Sequence, residues 1–148
     1  MTTPRPVVLG LPLLAILAGC TITQNARPVS LRADDARQLC IVEDPRVNGS
    51  FLLAYTTALQ GKGLSVKLLP ASSAVTSCPL TSTYYARWSS DFVTYMSHAT
   101  VFVFRDGTRV GDALYDAPKA GLGLTTRIYE STDSKVATMV DQLFPPSE

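Results

Sequence analysis

Two stretches of the chain carry hydrophobic residues at the spacing of an amphipathic helix. The first predicts a helix over about residues 48–60, ended by the glycines of residues 61–63. The second predicts a closing helix, whose i, i+3, i+4, i+7 stripe is Val136, Met139, Val140 and Leu143. Residues that cap helix N-termini stand at both starts: Asn48 or Ser50 for the first helix, and Ser131 or Thr132 for the second.

Five other segments have the residue types of β-strands. Two short apolar runs, residues 39–42 and 64–69, flank the first helix and predict a β-α-β start. Three segments rich in Thr, aromatic and β-branched residues follow, at residues 81–88, 96–105 and 109–116. The Asp106-Gly107 dipeptide between the last two is the strongest hairpin signal in the chain.

The order of these elements, β-α-β-β-β-β-α, indicates the fold class. Amphipathic helices and half-buried strands bury their apolar faces best when the helices cover one face of a sheet. We therefore expect a two-layer α+β domain over residues 38–145, with a mostly antiparallel sheet and two helices on one face. Residues 117–127 contain one proline and two glycines and are expected to form a loop.

The first twenty residues have a different pattern. Arg5 is their only charged residue, and an apolar run over residues 7–18 follows it. Twelve residues of helix span ~18 Å, well below the ~30 Å of a hydrocarbon core, so the run is typical of a secretory signal peptide. It ends in Leu17-Ala18-Gly19-Cys20, which looks like the bacterial lipobox, where small residues precede a cysteine that receives diacylglycerol.

These features predict a lipoprotein signal peptide over residues 1–19 and lipidation of Cys20. Two or more acyl chains anchor a protein stably, whereas one chain binds a membrane only marginally. Residues 20–37 are polar without a clear period and are predicted to be a lipidated tether, flexible at least to Pro28. Thr21, rather than aspartate, follows Cys20; by resemblance to enterobacterial sorting, this favours the outer membrane, with the domain facing the periplasm.

The balance of charge excludes one class of partner. Removal of residues 1–19 leaves 12 Lys and Arg against 12 Asp and Glu, because Arg5 is the only charge lost. A neutral domain is not expected to bind nucleic acid, which requires a clustered basic surface.

Two cysteines remain besides Cys20. Cys40 and Cys78 in an exported chain are candidates for a disulfide, which could stabilise the fold by up to ~4 kcal/mol. A metal site would need more ligands than these and His98, the only histidine. A catalytic thiol would need a nearby base, and none is evident.

The second half of the chain resembles a known family. Four segments follow one another in a recognisable order: Tyr84-Tyr85-Ala86-Arg87-Trp88-Ser89-Ser90-Asp91, Arg105-Asp106-Gly107, Ala113-Leu114-Tyr115-Asp116 and Val140-Asp141-Gln142-Leu143-Phe144. Over about residues 80–145 the chain resembles a family of small, uncharacterised proteobacterial lipoproteins catalogued after a Shewanella baltica member. The resemblance implies a location and a fold more than a function, because the family has no assigned enzyme activity.

Candidate catalytic groups are few. Near His98 in sequence lie Ser89, Ser90, Asp91 and Ser97. A catalytic serine usually occupies a sharp turn and takes its base from another segment, and no G-x-S-x-G sequence is present. The aspartates at positions 106, 112 and 116 do not match a calcium loop. We therefore predict no catalytic residue, no metal site and no cofactor beyond the lipid on Cys20.

The aromatic residues suggest a surface that binds a partner. In the segment 101–104, valine and phenylalanine alternate, so both faces of that strand are apolar. If the helices cover the valines, Phe102 and Phe104 face away from them, and Tyr85 and Trp88 are candidates for the same side, depending on register. Either the 117–127 loop covers these aromatics as a minor core, or they form a partner or dimer surface.

Three classes of function remain, of which an enzyme is disfavoured because the chain carries no evident catalytic set. We expect a non-enzymatic, lipid-anchored envelope lipoprotein that acts as a structural or protein-interaction module, through another envelope protein or through self-association. The alternative is an accessory protein that binds lipid or other apolar cargo, which would require a continuous apolar groove.

Overall fold

The computed structural model describes residues 24–33, 35, 37–90, 93–117 and 130–146. The predicted signal peptide and Cys20 lie outside the described residues, as does the predicted 117–127 loop apart from Ala117.

Six strands and two helices make up the described part of the chain. The strands are β1 Gln24–Arg27, β2 Gln38–Val42, β3 Ser65–Leu69, β4 Leu80–Ser90, β5 Thr94–Arg105 and β6 Thr108–Asp116. The helices are α1 Gly49–Gly61, between β2 and β3, and α2 Thr132–Leu143, after β6. From β2 onward, this order is the predicted β-α-β-β-β-β-α.

The strands form one mixed sheet in the order β1-β6-β5-β4-β2-β3. In this spatial order, β1, β6, β5 and β4 each run antiparallel to the next, whereas β2 is parallel to both of its neighbours, β4 and β3. The apolar faces of α1 and α2 share one buried core with alternate residues of the strands, so both helices lie on the same face. The predicted α+β class, with a mostly antiparallel sheet and two helices on one face, is confirmed.

Side-chain caps start both helices at predicted positions. The Asn48 side chain accepts a hydrogen bond from the backbone N–H of Ser50, and Ser131 accepts one from Ser134. Beyond α1, Gly63 has a φ of 76°, a value that glycine adopts without strain. Local sequence therefore sets where both helices begin and where α1 ends.

Part of the predicted tether is a strand. Residues 24–27 form β1, which pairs with β6 at the edge of the sheet, with Gln24 opposite Tyr115. Val29 is 3% exposed, and its N–H donates to the carbonyl of Leu143 at 2.8 Å. The prediction of a flexible chain up to Pro28 is wrong for this segment, because a short edge strand can be held by backbone pairing without an apolar alternation that marks it in the sequence.

A crossover segment, residues 70–79, covers part of the sheet face opposite the helices. Because β3 and β4 are both parallel to β2 and lie on either side of it, the chain between them must cross β2. Cys40 and Val42 of β2 are buried on that face against Leu69 and Cys78, apart from the main core. The predicted Cys40–Cys78 disulfide is present, with Cα atoms 6.2 Å apart, and it ties the crossover to the sheet.

The β5–β6 turn also contacts this crossover. Asp106 and Gly107 have φ values of 48° and 81°, which are typical of the type I′ turn that Asp-Gly favours, and the predicted hairpin is confirmed. The N–H of Asp106 donates to the carbonyl of Pro79 at 3.0 Å. The φ of 81° favours glycine at position 107, and a Cβ there would lie 2.7 Å from the Thr76 methyl carbon, so a larger residue would also displace the Thr76 side chain.

Loss of the disulfide should release the crossover and weaken the fold. For a loop of 38 residues, we expect Cys40→Ala/Cys78→Ala to lower the free energy of unfolding by up to ~4 kcal/mol. Urea unfolding with and without reductant measures this change, and the double variant serves as its own control because reductant should not affect it. Equal stability of the oxidised protein and the double variant would show that the bridge does not constrain the fold.

The ion pair between Arg105 and Asp35 should make the free energy of unfolding depend on pH. Arg105 donates to Asp35 at 2.6 Å and to the Ser30 carbonyl at 2.9 Å, and the hydrogen bond from Arg105 lowers the pKa of Asp35. A carboxyl group whose pKa is lower in the folded than in the unfolded state stabilises the fold at any pH above its ordinary, unfolded pKa. This stabilisation is lost as the pH falls through the folded-state pKa.

We therefore expect Asp35→Asn to cost about 1–2 kcal/mol at neutral pH and progressively less in acid, below about pH 4. Denaturant unfolding from pH 7 to pH 2 provides the comparison. A stability difference that stays constant over this range would contradict the assignment to the charged carboxylate.

Candidate interaction surface

The candidate surface is the helix-free face, by which we mean the sheet face opposite α1 and α2 over β4, β5, β6 and β1. The alternation of β5 defines its centre. Val101 and Val103 are buried beneath the helices, whereas Phe102 and Phe104 point to the other side and are half-buried. The orientation expected for the two phenylalanines is therefore correct.

Cross-strand pairing surrounds Phe102 with side chains of other strands. Thr83 of β4 is its partner on one side and Asp112 of β6 on the other. Tyr85, two residues after Thr83 in β4, pairs with Thr100 of β5 and is 44% exposed. Because paired residues point to the same face, the described part of this face combines aromatic rings with short hydroxyl side chains.

Trp88 does not belong to this face. Residues three apart in a regular strand point to opposite sides, so Tyr85 and Trp88 of β4 are separated. Trp88 pairs with Met96, which is buried in the main core, and it packs against that core. The pairing shifts register where Ser97 is skipped, which keeps Met96 on the helix side. The register on which a shared face for Tyr85 and Trp88 depends therefore places only Tyr85 on the helix-free face, because the shift between Arg87 and Trp88 leaves the extra residue, Ser97, in β5.

Charged side chains form a rim around the aromatic centre. The Arg109 guanidinium lies 5.2 Å from the centroid of the Phe102 ring. Arg27 donates to the Asp112 carboxylate at 2.7 Å. At the far end of β5, His98 Nδ1 lies 2.5 Å from Asp116 Oδ1, beside the Tyr85 ring. Exposed ion pairs contribute little stability individually, but they hold side chains in place around an apolar centre, as in the rim of a protein interface.

A shallow cleft of about 470 Å³ adjoins the exposed Tyr85 ring. It lies between the crossover and β4, and its lining is Val42, Glu43, Asp44, Pro45, Arg46, Ala71, Thr83, Tyr84 and Tyr85. Arg46 donates to Asp44 at 2.7 Å and lowers the pKa of that carboxyl. The backbone N–H of Asp44 donates to the Tyr84 hydroxyl at 3.2 Å. The cleft could not be predicted from the sequence because its lining comes from three separate segments of the chain. Its one local signal is the Asp44-Pro45 turn after a buried strand.

Sequence analysis also missed a buried lysine beneath the other face. Lys135 of α2 is 2% exposed, and its Nζ lies 5.3 Å from the centroid of the Tyr115 ring and 6.0 Å from that of Tyr95. Burial lowers the pKa of Lys135, and burial with the nearby Glu130 raises the pKa of Tyr115 to about 12. In the sequence, Lys135 stands one residue before the apolar stripe of α2, where a lysine is usually exposed to solvent. Its burial is evident only from the fold, in which Tyr95 of β5 and Tyr115 of β6 pack against it.

Three of the candidate catalytic residues, Ser90, Ser97 and His98, are engaged with other groups. Ser97 Oγ donates to the carbonyl of Arg87 at 3.2 Å, and Ser90 Oγ accepts from Thr94 at 3.3 Å. His98 is paired with Asp116, and Asp91 lies outside the described residues. Within the ranges that the structure describes, no group of three or more His, Cys, Asp or Glu is placed to hold a metal ion.

The described helices and the comparisons with known proteins complete this picture. No helix of the described segments is long and apolar enough to cross a membrane. No protein-family model matches the sequence, and no curated protein matches it either.

Solved structures do match the fold. A structure of the PelC dodecamer from Paraburkholderia phytofirmans superposes with a TM-score of 0.57 at 14% identity, over 82% of this chain and 98% of the PelC chain. A second structure, of a PelC variant dodecamer from the same organism, gives a TM-score of 0.51 at 12% identity, over 82% and 94% of the two chains. At this identity the likeness concerns the fold alone: the chain is similar in architecture to a PelC subunit over nearly all of that subunit's length.

Proposed function

We propose that this protein is a lipoprotein of the bacterial cell envelope, anchored through acyl chains on Cys20, that acts as a non-enzymatic interaction module. In this proposal the anchor is in the outer membrane and the domain faces the periplasm. The binding surface is the helix-free face, and its first partner is another copy of the chain.

The helix-free face is the observation that carries the proposal. It has half-buried Phe102 and Phe104 at its centre, the exposed Tyr85 at one end and paired charges such as Arg27–Asp112 around it. Protein interfaces have this composition, with aromatic residues in the middle and polar groups at the rim. Aromatic rings with few rotatable bonds also lose little conformational entropy when a partner buries them.

Self-association is supported by the architecture of the similar structures. PelC, which shares this fold at 14% identity, is a dodecamer in the solved structures. Chains anchored in one membrane are also confined to two dimensions and meet at high effective concentration. Both considerations favour another copy of the chain as the first partner to test.

The open shape of the cleft favours this proposal over carriage of lipid or apolar cargo. A cargo site would be a concave cavity that encloses most of its ligand. The described cleft is shallow and open, with Glu43, Asp44 and Arg46 among its lining residues, so it does not enclose an acyl chain. The interaction module therefore has the stronger support.

Lipidation is tested at Cys20. We expect Cys20→Ser to abolish acylation and to prevent the chain from fractionating as an integral envelope lipoprotein, because the thiol carries the lipid. Mass spectrometry of the protein purified from envelopes and the sucrose-gradient position of the membranes measure both effects. Thr21→Ser is the matched control and should be acylated normally. An unmodified thiol at Cys20 in the wild-type protein would contradict the proposal.

The interface is tested at Phe102 and Phe104. A central aromatic residue of an interface contributes about 2 kcal/mol, so each Phe→Ser change should weaken self-association about thirtyfold. Sedimentation velocity of the acylated protein in detergent, together with cross-linking in envelopes, measures this effect.

The matched control is Leu53→Ser. Leu53 lies on α1, on the other side of the sheet, and is 69% exposed, so the change removes an exposed apolar side chain away from the helix-free face. We expect the control to assemble like the wild type. A monomeric wild type, or assembly that survives the double Phe→Ser change, would refute self-association through this face.

A further inference from the structure

The distance from the lipidated residue to the sheet is short. Only Thr21, Ile22 and Thr23 separate Cys20 from Gln24, the first residue of β1. Four Cα–Cα steps span at most ~14 Å in a fully extended chain. If Cys20 carries the anchor, as proposed above, Gln24 must lie within that distance of the lipid headgroups.

The pairing of β1 determines which end of the sheet is held there. Gln24 pairs with Tyr115 at the end of β6, and Tyr115 pairs with Ala99 of β5. We call this the Tyr115 end of the sheet. The opposite end, which carries the β5–β6 turn at Asp106 and Gly107, is the Gly107 end. The chain from Cys20 enters the sheet at the Tyr115 end.

The β4–β5 hairpin extends past Gln24 at the Tyr115 end of the sheet, the end at which the chain from Cys20 enters. Ala99 lies level with Gln24 and pairs with Ala86 of β4, from which β4 extends a further four residues to Ser90, paired with Thr94 of β5. At about 3.3 Å per residue, the hairpin reaches ~13 Å past Gln24. This projection is close to the greatest length of the chain that links the sheet to Cys20, so the Ser90–Thr94 pair reaches the level of the anchor when the strands run along the membrane normal.

The described side chains near the tip suit the headgroup region of a bilayer. Val93, just before β5, is 49% exposed, and Ser90 and Thr94 present hydroxyl groups. Tyr95 and the partly buried Trp88 lie in the next pairs along the hairpin. Apolar tips and amphipathic tyrosine and tryptophan rings are favoured at the boundary between acyl chains and water.

From these distances we propose that the β4–β5 hairpin contacts the phospholipid headgroups, so that the domain stands on the membrane with its Tyr115 end down. This inference rests on the proposed lipidation of Cys20. The Gly107 end then faces away from the bilayer. The helix-free face runs along the strands and stands upright, so that copies in the same membrane meet through it laterally.

The test is depth-dependent fluorescence quenching of the acylated full-length protein, purified from envelopes and reconstituted into phosphatidylethanolamine–phosphatidylglycerol vesicles. Part of the lipid carries bromine on the acyl carbons nearest the headgroup. Trp88 is the only tryptophan in the chain, so Trp88→Phe provides a background without emission from tryptophan. Val93→Trp then reports on the hairpin, and Thr108→Trp, an exposed position at the Gly107 end, is the matched control.

We expect brominated lipid to quench the Val93→Trp variant and shift its emission to the blue, and to leave the Thr108→Trp variant unchanged. If Trp88→Phe weakens the fold, native Trp88 is retained and the added quenching at the two positions is compared. Equal quenching at both positions, or none at position 93, overturns the proposed orientation while leaving the anchor intact. A protein that purifies without acyl chains on Cys20 overturns the proposed function and this inference together.

Discussion

The alternation of β5 is the constraint on which the rest of the structure depends. Its valines are buried by the helices, so Phe102 and Phe104 are committed to the other face, and no rotation of the strand can bury both sets on one side. The α1 and α2 helices cover a single face, and the Cys40–Cys78 bridge holds the crossover against β2 on the other face. The sheet over β4, β5 and β6 therefore presents aromatic residues that neither helix covers, and a proposed partner surface follows from the way the core is built.

The pairing of β1 with β6 joins this surface to the proposed anchor. A flexible tether of eighteen residues would leave the domain free to take any orientation. With β1 paired, three residues lie between Cys20 and the sheet, which they enter at one end, next to Tyr115. In the proposed arrangement, the backbone hydrogen bonds of this edge strand, supported by the buried Val29, set the orientation of the anchored domain and the face that it presents to neighbouring copies.

The sequence was sufficient where short-range physics decides the outcome. Helix caps, the Asp106-Gly107 turn and the valine–phenylalanine alternation are local signals, and each predicted its element. The disulfide was predicted from the number of cysteines and the expected export of the chain. What local signals could not show was β1, which depends on the backbone of β6, the register shift at Ser97, and the cleft around Asp44. These features depend on which distant segments pair or pack together in the fold. No local pattern of residues in the sequence marks those contacts.

The central claim is that the helix-free face binds another copy of the anchored chain. The most direct test places the photo-cross-linker p-benzoylphenylalanine at Thr100, which lies on that face between Tyr85 and Leu114, and irradiates intact envelopes. The account predicts a cross-linked dimer whose joined peptides both come from this chain, with the second attachment point on β4, β5 or β6. Cross-links only to lipid, or a second attachment point on α1, would contradict it.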